Sequence, residues 1–584
     1  MAFAQDIDIT GGTPMLDIER LIDDKYPALN GRAPLVRQPA MGLLRRLMHE
    51  DEVNDFLARH RDAGPFEFVD HVLEHFRFSY MTSARDRCNI PSEGRVVIVA
   101  NHPLGTLDGL ALLKLVGEVR RDVKVMVNDL LWEFVPLRPL LLPVDNLTGK
   151  GYRKTARAGN EALMAEQAVI VFPAGEVSRA GPAGIKDGPW LSGFLHLARK
   201  TNAPILPVHV GGRNSALFYS LSMIYRPLGG LLLVNEMFKK HAVDLPIRIG
   251  EPIPLARFDL PTLTNRTKLK LLRKHVYRLA KNRAPLFVTE RPIAHPEPRQ
   301  ALRAELDEAQ CLGTTKDGMR ILLHDYRADS VVMRELGRLR ELTFRRVGEG
   351  TGEHRDLDDY DRHYQHLLVW DDKAMEIAGA YRLARVGEVL NTHGAEGLYS
   401  ASLFDLSEQW LASVGEGIEL GRSFVQPRYW GRRSLDLLWF GIGAYLKANP
   451  SVAWMVGPVS LSNAIPRAAL ELLVYYYQHY YGAKESGVRA RAPFRVSSST
   501  VEEARALFCH QDAAADFKVL KQQLGMHGVT VPALYKHYTE LCTSGGAQFL
   551  DFSVDADFGY CVDGLVRVEV AKVKAKKRAR YMGE

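Results

Sequence analysis

Cysteine is scarce and scattered in this sequence. Five cysteines (Cys88, Cys311, Cys509, Cys542 and Cys561) are spread over 584 residues, and no two stand at CxxC spacing. Neither a disulfide framework nor a zinc site is therefore expected. Long apolar runs are also missing. No uncharged stretch reaches the ~18 residues of a membrane-spanning helix. The nearest candidate, 216–234, is broken by Arg226, Pro227 and a glycine pair, and reads as a buried or interfacial hairpin. The opening Met-Ala-Phe-Ala-Gln-Asp has no basic segment followed by an apolar one, so no secretory signal is expected. Internal repeats and long low-complexity segments are lacking too. The expected location is cytoplasmic, with any membrane contact peripheral.

Strong net charge is absent as well. Lys plus Arg is 76 and Asp plus Glu 69, a balance of +7. The tail 571–584 holds six bases (Lys572, Lys574, Lys576, Lys577, Arg578 and Arg580) and one acid, which is +5 and leaves +2 for the rest. The basicity is local, so a nucleic-acid-binding body is not expected. Two uses suggest themselves for the tail: attachment to an anionic membrane surface, or docking of an acidic carrier protein. A hydrophobic fraction of 46% with 25% charged residues is that of a globular chain, which excludes a disordered or fibrous protein.

What is present is an alternation of strands and helices. Leu43, Leu44, Leu47 and Met48, then Phe68, Val72, Leu73 and Phe76, fall at helical spacing and predict a helical extension over 1–80. Beyond it the pattern predicts strands at 95–100, 123–128, 168–172 and 205–210, with helices at 109–119, 152–167 and 189–201 between them. That alternation argues for an α/β sheet covered by helices, over 81–290. Pro285, Pro292, Pro296 and Pro298 mark a boundary. A second domain of mixed strands and helices is expected over 300–570, with 571–584 as a basic tail.

Two constellations carry chemistry. In the first, Asn101-His102-Pro103-Leu104-Gly105-Thr106-Leu107-Asp108 lies between a buried-looking strand and a helix. A tight turn through Pro103 and Gly105 lets Asp108 reach His102, fix its tautomer and stabilise its protonated form. A histidine so held can take the proton of an attacking hydroxyl; the alternative is a histidine at a strand-to-helix turn with Asp108 as a helix cap. This segment resembles the NHxxxxD motif of the glycerophosphate/lysophospholipid acyltransferase superfamily, and the resemblance spans about 85–254. It implies His102 and Asp108 as the catalytic dyad. The family's FPEGTR block is matched by Phe172-Pro173-Ala174-Gly175-Glu176-Val177, with Ala174 and Val177 in place of the family's Glu and Arg. In the family that block holds the acceptor's phosphate. The resemblance implies Asn101, Gly105, Phe172, Pro173, Gly175, Glu176 and Arg179 as the substrate-binding set, and the lost Arg implies a phosphate-free acceptor.

The second constellation runs from Val425 to Leu435, where a strand ends, Gly431 turns the chain and a helix begins. Free N–H groups at such a helix start receive phosphate. It resembles the pyrophosphate loop of the GNAT fold, which implies donor binding by Arg428, Gly431 and Arg432. Upstream, Glu419-Leu420-Gly421-Arg422-Ser423-Phe424, Asp358-Asp359-Tyr360-Asp361 and Gly379-Ala380-Tyr381-Arg382-Leu383 resemble segments of acyl-homoserine-lactone synthases and ornithine N-acyltransferases. Residues 532–538 and 551–558 resemble closing segments of the latter. This implies Glu419 as a catalytic residue and Asp358, Asp361, Arg382 and Arg422 as substrate-binding, although the same charges also suit a structural ion-pair network.

Both halves in this order resemble the bifunctional ornithine-lipid synthases of bacteria. The fold implied is α/β in two acyltransferase domains, the first glycerophosphate-acyltransferase-like and the second GNAT-like. The activity implied is N-acylation of ornithine with a 3-hydroxyacyl chain by the C-terminal half. O-acylation of that hydroxyl on lyso-ornithine lipid by the N-terminal half then follows. Acyl carrier protein, or coenzyme A, would carry the donors as thioesters; no metal and no other cofactor is expected. Alternatives are the same chemistry on glycine or glutamine, or a membrane-binding, haemolysin-like protein on an inactive scaffold.

Overall fold

The structure is a computed structural model that describes residues 16–19, 34–128, 131–132, 134–144, 151–181, 184–224, 228–239, 243–431, 434–483 and 486–583. The chain divides into two compact units, Met1–Pro292 and Ile293–Glu584.

The first unit is built on a seven-stranded sheet. Its strands are β1 (Phe78–Met81), β2 (Val96–Ala100), β3 (Val123–Asn128), β4 (Leu141–Val144), β5 (Ala168–Val171), β8 (Ile205–Val210) and β9 (Val243–Ile249), in the order β1-β9-β8-β2-β5-β3-β4. A separate hairpin joins β6 (Arg179–Gly181) to β7 (Gly184–Lys186). All neighbours in the large sheet are parallel except β8 and β9. The continuous apolar run of β2 is buried at every position, as a central parallel strand covered on both faces requires. Val96, Ile98 and Ala100 pack with the Thr106–Gly117 and Pro65–His75 helices. Val97 and Val99 pack with the Gly193–Thr201 and Asn265–Leu279 helices.

Two sequence expectations change here. The described residues before 81 are not set apart from the sheet: Phe68, Val69 and Leu73 enter its core, and β1 pairs with β9. β1 escapes the sequence reading because four residues are too short for a period to show. β9 has an alternating pattern, yet its stretch carries Asp244, Pro246 and Arg248.

The second unit holds an eight-stranded sheet in the order β10-β11-β12-β13-β15-β16-β19-β18. These are β10 (Gln310–Thr314), β11 (Arg320–Asp325), β12 (Gln365–Asp371), β13 (Glu376–Arg385), β15 (Gly417–Val425), β16 (Trp454–Leu461), β18 (Ala547–Asp555) and β19 (Cys561–Glu569); β14 (Phe404–Leu406) and β17 (Val488–Ala490) pair apart. Every neighbour is antiparallel except β15 and β16. Those two run parallel and pair only over Gly417–Glu419 and Trp454–Val456. Gly457 still touches β15, since a Cβ there would lie 2.1 Å from the Leu420 carbonyl oxygen. Beyond it the strands part, where Pro458 offers no N–H and β15 carries a bulge. Ala380 pairs with Phe424 but Arg382 with Gly421, and Arg422 in between has φ 48°.

The basic tail is folded, which corrects its reading as a segment apart. Ala575–Tyr581 is helical and packs on the Ser434–Ala448 helix. Tyr581 is buried, meets Phe440 edge-to-face with ring centroids 5.5 Å apart, and donates to Asp436 Oδ1 at 2.7 Å. Arg580 pairs with Asp436, and Lys572 with Glu569 at 2.8 Å. The helices approach so closely that a Cβ on Gly443 would sit 2.2 Å from the Tyr581 carbonyl oxygen. Tyr581→Ala should cost about 3 kcal/mol, the scale of removing a large buried aromatic. Denaturant unfolding checks this, with Lys576→Gln, on the exposed side, expected to stay within ~0.5 kcal/mol of the parent.

Candidate active sites

In the first unit the segment 101–108 leaves the carboxyl end of β2, between β5 and β8, where open α/β sheets seat their ligands. Asn101 ties the strand end in place. Its Nδ2 donates to the Val210 carbonyl at 2.7 Å and its Oδ1 accepts from the Val210 N–H at 2.8 Å. Gly105 turns the chain at φ 101°, and a Cβ there would meet Leu233 at 2.6 Å. The turn brings His102 Nδ1 to 2.9 Å from Asp108 Oδ1. Asp108 has no exposed surface, and its Oδ2 accepts from the backbone N–H groups of Leu104 at 2.7 Å and Gly105 at 3.3 Å. The histidine side chain keeps 21% of its surface open. With Nδ1 turned to the carboxylate, Nε2 is the nitrogen left to take a substrate proton.

Asp187 was not legible in the sequence. Its Oδ1 accepts from the His102 backbone N–H at 3.2 Å and from Ser178 Oγ at 2.5 Å, and its Oδ2 from Trp190 Nε1 at 2.9 Å. Burial works against the charged form of His102. The carboxylates of Asp108 and then Asp187 outweigh it, and the imidazole pKa is raised above 6.5. Burial pushes the Asp187 carboxyl up in turn, despite its hydrogen bonds.

Phe172 lies on the imidazole, with ring centroids 4.2 Å apart. The Pro173 carbonyl accepts from the Leu191 N–H at 2.9 Å, and Gly175 turns at φ 67°. Glu176 and Arg179 pair with each other at 2.8 Å, so the arginine's charge is already matched. Val177, where the resembled family has its Arg, is buried against Phe218 and Tyr219. The wall of this site is apolar where an anion clamp would stand.

In the second unit the expected charged residues mostly engage one another. Asp361 Oδ1 accepts from Arg340 at 2.8 Å and lies 3.3 Å from Arg382, which also binds Asp358. Arg422 reaches Asp358 at 3.3 Å and Asp356 at 3.2 Å. Although burial works against it, the charges of Arg340 and Arg382 hold the Asp361 carboxyl far below its usual range, and burial pushes His366 down to about 3. Such a largely buried network of ion pairs fixes geometry. Asp358, Asp361 and Arg382, expected to bind substrate, are its members; Arg340 and Asp356 were missed. Of the four expected residues, Arg422 also lines the cavity between β15 and β16.

Glu419, expected to be catalytic, is likewise spoken for. Its Oε2 accepts from the Tyr399 N–H at 2.9 Å and from Tyr364, and its Oε1 from the Ser400 N–H at 2.8 Å and the Ser400 hydroxyl. It caps the Tyr399–Leu403 helix. The donor loop is partly visible. Gly431 has open space where a Cβ would stand, while Arg428 binds Glu376 at 2.8 Å. Arg432 lies outside the described residues.

A cavity of about 100 Å³ opens in the gap between β15 and β16, lined by Gly421, Arg422 and Ser423 on one side and Pro458, Val459 and Ser460 on the other. Glu349, Tyr399 and Asp563 also face it. Among the described residues no group of three or more His, Cys, Asp and Glu could hold a metal ion, and no helix is long and apolar enough to cross a membrane.

The two units define two acyltransferase domains. Residues 20–284 match the family described as Acyltransferase, and residues 339–440 match the Acetyltransferase (GNAT) domain. A glycine N(alpha)-acyltransferase of Bacteroides thetaiotaomicron is 31% identical over 50% of this chain and 89% of its own length. A lyso-glycine lipid O-acyltransferase of the same organism is 32% identical over 42% of this chain and 90% of its own. An L-ornithine N(alpha)-acyltransferase of Brucella abortus is 32% identical over 33% of this chain and 70% of its own. The chain belongs to this family of amino-acid-lipid acyltransferases, and it joins in one polypeptide the two acyltransferase halves of a two-step lipid synthesis.

Removal of the imidazole in His102→Ala should lower O-acylation of a supplied lyso-lipid by about 10²–10⁴-fold, read by product formation in the purified chain. With a neutral imidazole as the proposed proton acceptor, the wild-type rate should rise with pH through a midpoint above 6.5. In Asp108→Asn the midpoint should move down, because burial then acts with less opposition; a pH–rate profile shows the sign.

Proposed function

We propose that the C-terminal half acylates the α-amine of ornithine with a 3-hydroxy fatty acyl chain and that the N-terminal half then acylates the 3-hydroxyl. The observation that carries the reading is the first site: a histidine held by a buried carboxylate, beside an apolar wall in which Val177 and the matched Glu176–Arg179 pair leave no free anion clamp. Such a site suits a hydroxyl on an acyl chain better than one on a phosphorylated glycerol. His102 accepts the hydroxyl proton, Asp108 stabilises the imidazolium, and the same imidazolium returns the proton to the leaving thiolate. His102 and Asp108 are the residues of this step, with Phe172 orienting the ring.

For the first step, the gap between β15 and β16 receives donor and amine, and the turn at Gly431 before the Ser434–Ala448 helix receives the donor's phosphate. Acyl carrier protein thioesters are the donors in this reading, and the enzyme works at the surface of the membrane into which its product partitions. The cavity's acids, Glu349 and Asp563, suit a cationic amine, while its one arginine is already shared between Asp356 and Asp358. Glycine is the second reading, favoured by the relatives named for glycine, which are matched over 89–90% of their lengths against 70% for the ornithine enzyme.

Expression in a bacterium that makes no amino-acid lipids, followed by mass spectrometry of the lipid extract, tests both steps. A new phosphorus-free lipid with two acyl chains on ornithine is expected, and His102→Ala should accumulate the monoacylated form instead. A glycine headgroup would select the second reading. Normal diacylated product from His102→Ala would overturn the assignment of the second step.

A further inference from the structure

An amine attacks a thioester only after losing a proton, and the bonds that saturate Glu419 leave that proton without an acceptor on β15. Two carboxylic side chains face the cavity, Glu349 and Asp563. Asp563, in β19, keeps 2% of its surface; its Oδ1 accepts from Ser460 Oγ at 2.7 Å, and Cys561 Sγ stands 3.5 Å from Oδ2. Glu349 follows the Val331–Val347 helix, where its backbone N–H donates to the Phe344 carbonyl at 2.9 Å. Its carboxylate receives no hydrogen bond among the described residues. Gly559 fixes the approach of this segment to the β18–β19 turn: a Cβ on Gly559 would lie 2.7 Å from the Gly348 carbonyl oxygen and 3.4 Å from Glu349 Cα.

We propose that Glu349 and Asp563 are the amine seat of the N-acylation site: the two carboxyl groups bind the substrate's ammonium, and Glu349 takes its proton. The proposal deepens the N-acyltransferase reading and rests on it. One N–H proton of the ammonium passes to the Glu349 carboxylate, leaving a neutral amine. Its lone pair forms the C–N bond to the thioester carbonyl carbon, the C–S bond breaks, and the departing thiolate takes the second proton. The products are an amide and a free thiol, and Glu349 returns its proton to solvent.

The electrostatics suit the role. Burial, and then the charge of Asp563, push Glu349 up to about 8. Burial raises Asp563 to about 6 against the Ser460 hydrogen bond, with Asp555 adding to the rise and Cys561 and Arg422 opposing it. The pair therefore holds one proton near neutrality and titrates as a unit. A base near 8 is matched to an amine at working pH. The other charged and titratable groups around the pair are Asp555, Arg422, Tyr381, Tyr399, Tyr538 and Cys561. Asp555 accepts from Tyr399 at 2.9 Å, and Arg422 is paired. Burial pushes the Tyr381 phenol up to about 12 and raises Tyr399, Tyr538 and the Cys561 thiol well above their usual values.

The test uses the full-length chain, an acyl carrier protein thioester and ornithine or glycine, with thiol release and product mass followed from pH 6.5 to 9.5. Glu349→Gln should lower kcat/KM for the amine at pH 8 by about 100-fold or more. The deficit should shrink as pH rises and free amine replaces ammonium. Glu349→Asp should recover part of the rate, and Asp563→Asn should raise KM for the amine. O-acylation of a supplied lyso-lipid, carried by the other unit, should be unchanged in all three, and a parent-like denaturant unfolding transition shows that the second unit is folded. Unaltered N-acylation in Glu349→Gln, or an equal loss at every pH, overturns the proposal while the two-step reading stands. A wild-type chain that N-acylates no amino acid overturns that reading, and the amine seat falls with it.

Discussion

Asp108 lies wholly beneath the surface, and a carboxylate there persists only if it is paired and hydrogen-bonded. The first unit meets that demand with its own backbone and with one imidazole. The N–H groups of Leu104 and Gly105 take one oxygen, and His102 takes the other. The turn, the left-handed Gly105, and the fastening of Asn101 to Val210 all keep this geometry at the end of β2. The imidazole is stiffened and made more basic by what is in effect a folding requirement. Asp187 extends the constraint across the sheet, holding the His102 backbone from a position 85 residues further on.

The second unit solves a related problem in a different way. Its acidic and basic residues at Asp356, Asp358, Asp361, Arg340, Arg382 and Arg422 cancel one another in a buried lattice that locks β13 to β15. Glu419 is consumed in capping a helix. These ion pairs supply position rather than reactivity. Reactivity passes to carboxyl groups that the lattice does not neutralise, in the gap where β15 and β16 cease to pair. The unpaired stretch of sheet is thus both the cost of parting two strands and the space in which a donor and an amine can meet.

The degree to which each half could be read from sequence follows from this difference. The segment 101–108 declares itself because the dyad is closed within one turn, so spacing alone places His102 and Asp108 together. β2, β3, β5 and β8 were legible as short buried apolar runs, and the start of the Ser434–Ala448 helix from the turn at Gly431 before it. β1 and β9 were not, since one is four residues long and the other has charges on its outward face. Asp358, Asp361, Arg382, Arg422 and Glu419 were visible as a charged set, but their types and order are the same whether they bind a ligand or one another. Glu349 and Asp563 gave no signal, because neither stands in a local pattern.

The sequence by itself determined the two α/β halves, their order and the histidine–aspartate pair, because these depend on periodicity and on contacts within a few residues. Only the tertiary structure decided which acids are spent on arginines and helix ends, which face a cavity, and that the basic tail is packed rather than free. A carboxyl group's function depends on the charges and solvent around it, and those are brought by segments far away along the chain.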